Sequence, residues 1–504
     1  MSTEFFVCTS EQARWADQQA IHSCRIPSLI LMEHAALGCT EYIFNHTQPH
    51  ESGLIVCGPG NNGADGMAIA RLLHERQRKV FVVAPLKEQI RKDERIQYEM
   101  LDCHPIPVYE MNDPAVNELF SQCGYIVDAL FGSGLSRPVD GAWLELIRKI
   151  NKAQAKVFSV DIPSGLNGTS GTPCPEAVHA SYTFALDCIK QGEIFPSGAP
   201  YCQTIVPVPI GIPSFLHAGD PVLLDESFIR SLIPKRSAFG YKGMFGKALM
   251  IGGSMQMPGA ISMASSACFR SGIGLLSVFV PESICSILQT KSNLIMSVPA
   301  LEEKGRFAAK SAEQLRSIAG RYTVFSIGNG MQKTEVAEEL LHVVLTTASP
   351  VIVDADALWA LGRHLEWLKG RDALTIVTPH IGEMSDLTGI PVSQIEADPF
   401  QAVRDFCRAY PRCVVVLKSC FTLISQGEKM FVLHHPNDAL SKGGSGDVLA
   451  GIVTGLCGWF ENGLDAALCA AYIHSLAADT SCPVSFSAEE LIDNLGAVFE
   501  RLEK

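Results

Sequence analysis

Residues 441–455, SKGGSGDVLAGIVTG, set the reading of the whole chain. Gly443, Gly444 and Gly446 free the backbone to aim its N–H groups at one point, with no Cβ in the way of a close ligand. The apolar run from Val448 then starts a helix whose positive end adds to that field, so the loop suits a phosphate. Asp447 is an odd choice in a plain anion hole, because phosphate oxygens repel a carboxylate unless it takes a proton or holds a cation. Its presence points to chemistry at Asp447; the plainer alternative is a glycine turn whose acidic residue is favoured by the helix dipole.

Before this loop, segments at 247–251, 275–280, 324–330, 351–356, 375–380 and 414–419 read as strands with their closing turns. They alternate with helical segments, among them a small-residue helix over 258–272 that can pack closely. Several runs end in polar residues: Asp354 and Asp356, His380 and Glu383, Lys418 and Ser419. Alternation of this kind predicts a doubly wound α/β domain, with ligands gathered at the carboxyl ends of the strands.

The first half repeats the pattern. After helical patterns over 9–48, GLIVCG at 53–58 runs straight into GPGNNGADG and a helix, with further strands predicted at 80–84, 125–128 and 157–161. Asn61, Asn62, Asp65, Asp128, Asp161 and Ser164 then converge on one edge of a Rossmann-like parallel sheet. Pro196, Pro200, Pro207, Pro209 and Pro213 stop helices and suit an edge strand followed by a connection. The boundary is expected between about 212 and 228, dividing the chain into domains 1–218 and 219–504.

The 504 residues require at least two hydrophobic cores. Forty basic against 53 acidic residues leave a net charge of −13 with no long Lys/Arg cluster, which argues against nucleic acid as a partner. No apolar run approaches the roughly 18–20 residues that span a bilayer. The N-terminal MSTEFFVCTSEQARWAD lacks the basic flank and apolar core of a signal peptide, so a cytoplasmic protein is expected. The 17 cysteines, without a CxxC pair, read as reduced core residues rather than disulfides or zinc ligands.

GPGNNGADG, DALFGSGLSRPVDG at 128–141 and SVDIPSGLNGTSG at 159–171 resemble, in that order, the three loops of the NAD(P)H-hydrate epimerase family. The resemblance implies that Asn61, Asn62, Gly63, Ala64 and Asp65 contact the hydrated nicotinamide nucleotide. Gly132, Ser133, Gly134, Leu135, Ser136, Arg137 and Pro138 are implied as further contacts, and Asp161 as the acid/base or charge-stabilising group at the reacting ring. It also implies a potassium ion on Asn62, Asp128 and Ser164; Ala64 stands where the family usually has glycine.

The second half resembles the ribokinase-like superfamily and, within it, the ADP-dependent NAD(P)H-hydrate dehydratases. The residues that carry this are YKGMFGKALMIGGS at 241–254, PGA at 258–260, GNGM at 328–331, VDADAL at 353–358, TPHIGEM at 378–384, LKSCFT at 417–422 and SKGGSGDVLAG. Ala260, Gly330, His380 and Asp447 are implied to face the hydrated nucleotide. Lys418, Ser419, Cys420, Phe421, Thr422 and Gly446 are implied to bind ADP, the phosphate donor, with Mg2+. Ser419 and Met331 replace a usual glycine and leucine, and neither change removes a charge.

The joint expectation is a bifunctional enzyme that interconverts the R and S hydrates of NADH and NADPH at C6. Its second half would dehydrate the S form, with Asp447 as general base in phosphoryl transfer. Folds of this type commonly assemble, so a homo-oligomer is expected. The alternative is a ribokinase-type small-molecule kinase with a non-catalytic N-terminal module, which leaves the first three loops without a use.

Overall fold

The computed structural model describes residues 4–85, 93–135 and 137–503, so Ser136 lies outside the described residues. The chain divides between Leu223 and Leu224 into two compact units, each built on a sheet.

In the first unit the strands are β1 (Val7–Cys8), β2 (Gly53–Cys57), β3 (Val80–Ala84), β4 (Val108–Glu110), β5 (Tyr125–Ala129), β6 (Lys156–Val160), β7 (Tyr182–Leu186), β8 (Ile189–Lys190) and β9 (Thr204–Val208). Seven form one parallel sheet in the order β4-β3-β2-β5-β6-β7-β9, and β1 pairs in parallel with β8. Helices α1 (Ser10–His22), α2 (Ser28–His46), α3 (Asn61–Glu75), α4 (Asp93–Asp102), α5 (Ala115–Gln122) and α6 (Gly141–Lys152) accompany it. Ile55 and Val127 pack with Leu31 of α2 and Met67 of α3, while Leu54 and Ile126 pack with Leu119 of α5 and Ile147 of α6. Burial of both faces is why these strands read as unbroken apolar runs. Pro207 sits on β9 at the sheet's edge, where a missing N–H is tolerated.

The second unit has β10 (Lys247–Ile251), β11 (Leu275–Pro281), β12 (Met296–Ala300), β13 (Val324–Ile327), β14 (Val351–Val353), β15 (Thr375–Val377), β16 (Cys413–Lys418), β17 (Thr422–Gln426) and β18 (Lys429–Leu433). Their order is β18-β17-β16-β15-β14-β13-β10-β11-β12. Pairing is parallel from β16 to β12, and antiparallel where β17 and β18 fold back. Four helices matter for the site: α7 (Pro258–Arg270), α8 (Ile381–Thr388), α9 (Ser445–Cys457) and α10 (Gly463–Ala477). The small residues of α7 allow the close packing their composition predicts. A Cβ on Gly451 of α9 would lie 2.1 Å from the Ala264 carbonyl oxygen, and one on Gly455 2.6 Å from that of Cys268. Among the described residues no helix is long and apolar enough to cross a membrane, and all 17 cysteines are free thiols.

Candidate active sites

In the first unit the carboxyl ends of β2, β5 and β6 open into a cavity of about 610 Å³. Asn61, Asn62, Asp65, Gly132, Ser133, Gly134, Leu135, Arg137 and Asp161 all line it, joined by Asp17, Asp187 and Lys190. Gly63, Ala64 and Pro138 are not in the lining. Gly63 is there for the turn: a Cβ would stand 1.8 Å from the Gly58 carbonyl oxygen. Ala64 is wholly buried within α3, so its methyl group points into packing and leaves the cavity unobstructed.

Asp161 follows β6 with φ of +68°, a left-handed conformation costly for a non-glycine residue. Two contacts hold it: its Oδ2 accepts from the Ser133 N–H at 2.6 Å, and its Oδ1 pairs with Lys190 Nζ at 2.5 Å. Lys190, 1% exposed, is a cavity-lining residue the sequence reading missed. Burial pulls its pKa down, but the Asp161 charge, with Cys188 and Glu193, holds it above the ordinary lysine value. Glu193 accepts from the Lys190 backbone N–H at 2.6 Å, and burial pushes its carboxyl up to about 8 against the pull of Lys190. Asp65 is also raised well above its ordinary value, by burial and then by the charges of Asp161 and Asp17.

Below the cavity, Asp128 is wholly buried on β5. One carboxylate oxygen accepts from Ser164 Oγ at 2.6 Å and Leu130 N at 3.3 Å, the other from Ser159 Oγ at 2.8 Å and Ser164 N at 2.9 Å. Asn62 is buried, and neither heteroatom of its amide has a hydrogen-bond partner. An unanswered carbonyl oxygen together with Asp128 and Ser164 makes an all-oxygen donor set, which fits a hard monovalent cation.

In the second unit the loop before α9 brings Asp447 to a buried network. Asn329 Nδ2 donates to Asp447 Oδ1 at 2.7 Å and to Asp354 Oδ2 at 2.9 Å. Thr378 Oγ1 donates to Asp354 Oδ1 at 2.7 Å, and Lys418 Nζ reaches the same oxygen at 3.3 Å. Burial, then the Asp354 charge, raises Asp447 to about 6, against the hydrogen bond from Asn329. The ammonium of Lys418 lies at the start of α9: a Cβ on Gly446 would meet its Nζ at 3.4 Å. Gly444 caps this helix with φ of +99°. At its base His474 of α10 meets the Ser445 carbonyl at 3.0 Å, and burial pushes its imidazole down to about 4, so it is neutral there.

Gly330 and Ala260 adjoin, since a Cβ on Gly330 would be 3.0 Å from that of Ala260. His380 is exposed and caps α8, its Nδ1 accepting from the Glu383 N–H at 3.2 Å. Ser419 and Cys420 form the turn between β16 and β17, Phe421 is buried, and Thr422 opens β17. Asn329 was passed over because it lies hidden between two glycines of GNGM. Glu383, 3.9 Å from Lys418, was visible only as a strand-end carboxylate without a role.

Residues 28–192 match the family described as YjeF-related protein N-terminus, and residues 248–490 the family described as NAD(P)H-hydrate dehydratase. A curated relative from Moorella thermoacetica, the bifunctional NAD(P)H-hydrate repair enzyme Nnr, is 32% identical over 99% of this chain and 97% of its own. The chain belongs to the bifunctional NAD(P)H-hydrate repair enzymes. A second repair enzyme, from Coxiella burnetii, is 34% identical over 84% of each chain. Among solved structures, ADP/ATP-dependent NAD(P)H-hydrate dehydratase from Bacillus subtilis, co-crystallised with ATP/Mg2+, is 30% identical with a TM-score of 0.50. It matches over 98% of its own length and 55% of this chain. Hydrate repair enzymes join an isomerase to a lyase, and matches to both halves leave the small-molecule kinase reading unfavoured.

Proposed function

We propose that the first unit interconverts the R and S hydrates of NADH and NADPH at C6. The second unit then returns the S hydrate to the reduced dinucleotide, converting ADP to AMP and phosphate. The reading rests above all on one chain holding two half-buried carboxylates, each answered by a buried polar partner, Asp161 by Lys190 and Asp447 by Asn329. Free cysteines throughout suit a reducing compartment, and we place the enzyme in the cytosol.

In the first unit the loops around Asn61 to Asp65 and Gly132 to Pro138 hold the hydrate, and Asp161 exchanges a proton or stabilises charge at the reacting ring. Lys190 and the Ser133 N–H fix the orientation of its carboxylate. Asn62, Asp128 and Ser164 would hold a potassium ion, which would supply a fixed positive charge beside the site.

In the second unit Asp447 takes the C6 hydroxyl proton as that oxygen attacks the terminal phosphorus, and the bridging oxygen leaves with AMP. Phosphate then departs from C6 with the bonding pair, and loss of a C5 proton restores the double bond. Lys418 and the N–H groups around Gly446 offset the developing charge. Asp354 and Glu383, the carboxylates beside Lys418, would hold a magnesium ion accompanying the nucleotide, whose charge would offset that of the phosphates.

The test is to incubate the purified chain with both hydrate epimers of NADH and follow the reduced-nicotinamide absorbance with ADP, ATP or neither. Complete, ADP-dependent recovery is expected. Recovery stalling at the share of one epimer removes the epimerase assignment, and no recovery with either donor overturns the repair reading.

A further inference from the structure

Away from both sites, the first unit brings a thiol, an imidazole and a carboxylate into mutual contact. Cys8 Sγ lies 3.6 Å from His217 Nδ1 and 3.4 Å from Asp220 Oδ2, and the last two atoms are 3.0 Å apart. Among the described residues no other such trio of potential metal ligands is found. Zinc bonds of about 2.0–2.3 Å in a tetrahedron place ligand atoms roughly 3.3–3.6 Å apart, close to the spacing here.

The surroundings match a metal site in two further ways. His217 Nε2 is 2.9 Å from Asp187 Oδ2, the outer carboxylate that fixes tautomer and ring direction in metal-bound histidines. Gln12 Nε2 donates to Asp220 Oδ1 at 2.6 Å, anchoring the third ligand through its other oxygen. Cys8 is wholly buried and His217 2% exposed, and Cys8 packs with Phe6 and Cys188 in one apolar cluster. A nucleophilic role for Cys8 is disfavoured, since it does not line the cavity.

We infer that Cys8, His217 and Asp220 form a structural site for a tetrahedral divalent transition metal of the zinc class. It ties together β1, the turn carrying Asp187 and the segment closing the unit, which are remote in sequence. Cys8 is the ladder partner of Lys190, so the metal braces the strand that carries the lysine paired with Asp161.

The test uses the full chain, purified without metal-affinity chromatography. Elemental analysis should give close to one zinc per chain, and replacement by Co2+ should produce a thiolate-to-cobalt charge-transfer band with visible bands of tetrahedral intensity. Asp187→Asn should keep the band but weaken zinc binding by about 10- to 100-fold, as loss of an outer-shell carboxylate does. The competing arrangement is an imidazolium held between Asp187 and Asp220. A wild-type protein with no cobalt band, no zinc retained against a chromophoric chelator, and protons on both His217 nitrogens by NMR would overturn the proposal. None of these readouts depends on a variant that folds.

Discussion

Lys190 Nζ stands 2.5 Å from Asp161 Oδ1, a buried ammonium paired with a carboxylate at the cavity wall that also accepts a backbone N–H. The pair explains how Asp161 is held in its left-handed conformation. Lys190→Met should lower epimerisation by at least about 100-fold and cost about 3 kcal/mol, because the partner charge is left unanswered. Lys190→Met combined with Asp161→Asn should regain stability without activity. Epimer ratios by chromatography and urea unfolding check both, and dehydration of pure S hydrate should be unchanged.

Asp447, raised from 3.8 to about 6, must be ionised to accept a proton. Dehydratase kcat/KM should therefore fall roughly tenfold per pH unit below about 6. Stability runs the other way. A carboxyl whose folded pKa is raised contributes its full stabilisation below 3.8, and that contribution is lost as pH rises through about 6. Asp447→Asn should abolish dehydration yet stabilise the second unit above pH 7 by up to about 3 kcal/mol, since each pKa unit is about 1.4 kcal/mol. A pH–rate profile and melting curves at pH 5 and 8 separate the two effects.

Ala64 differs from the family's usual glycine, but its methyl group is packed inside α3. Ala64→Gly should leave the epimerase KM within about twofold and cost about 1 kcal/mol in helix stability. Gly63→Ala, whose Cβ would stand 1.8 Å from the Gly58 carbonyl oxygen, should abolish epimerisation. Steady-state kinetics on the two variants make the comparison.

The parallel sheets were legible from sequence because strands buried on both faces carry unbroken apolar runs that end in glycine loops. GPGNNGADG and SKGGSGD announced the turns at which backbone, not side chain, shapes the site. Lys190 was not legible: a single lysine after an apolar stretch gives no hint that it will be buried against Asp161. Nor was the Cys8, His217 and Asp220 cluster, whose first two members lie 209 positions apart. Such pairings are decided by which strands adjoin, and no local spacing records them. Asn329 sits between glycines whose loop geometry, rather than its own chemistry, draws attention.

Asn62 keeps two buried polar atoms without partners. If potassium answers the amide oxygen, adding K+ should raise the melting temperature of the first unit's transition, with about 2.7 kcal/mol gained at 100 times the dissociation constant. Asn62→Ala should remove that response and the K+ dependence of epimerisation, while dehydration of S hydrate stays the same. Calorimetry in potassium, sodium and choline chlorides reads it directly.

The backbone contact of Gly451 and Gly455 with α7 lies one to two turns beyond Asp447. A screen that scores only turnover would register any side chain added there as a catalytic lesion, although it touches no reactant. Paired with a folding assay, the same variants sort differently: loss of activity should track displacement of the helix as a rigid rod, and restoring volume on the α7 side, by trimming Ala264, cannot compensate because the obstacle is a peptide carbonyl. These two glycines are therefore positions where inherited variation in this enzyme would be tolerated least and understood last from a list of active-site residues alone.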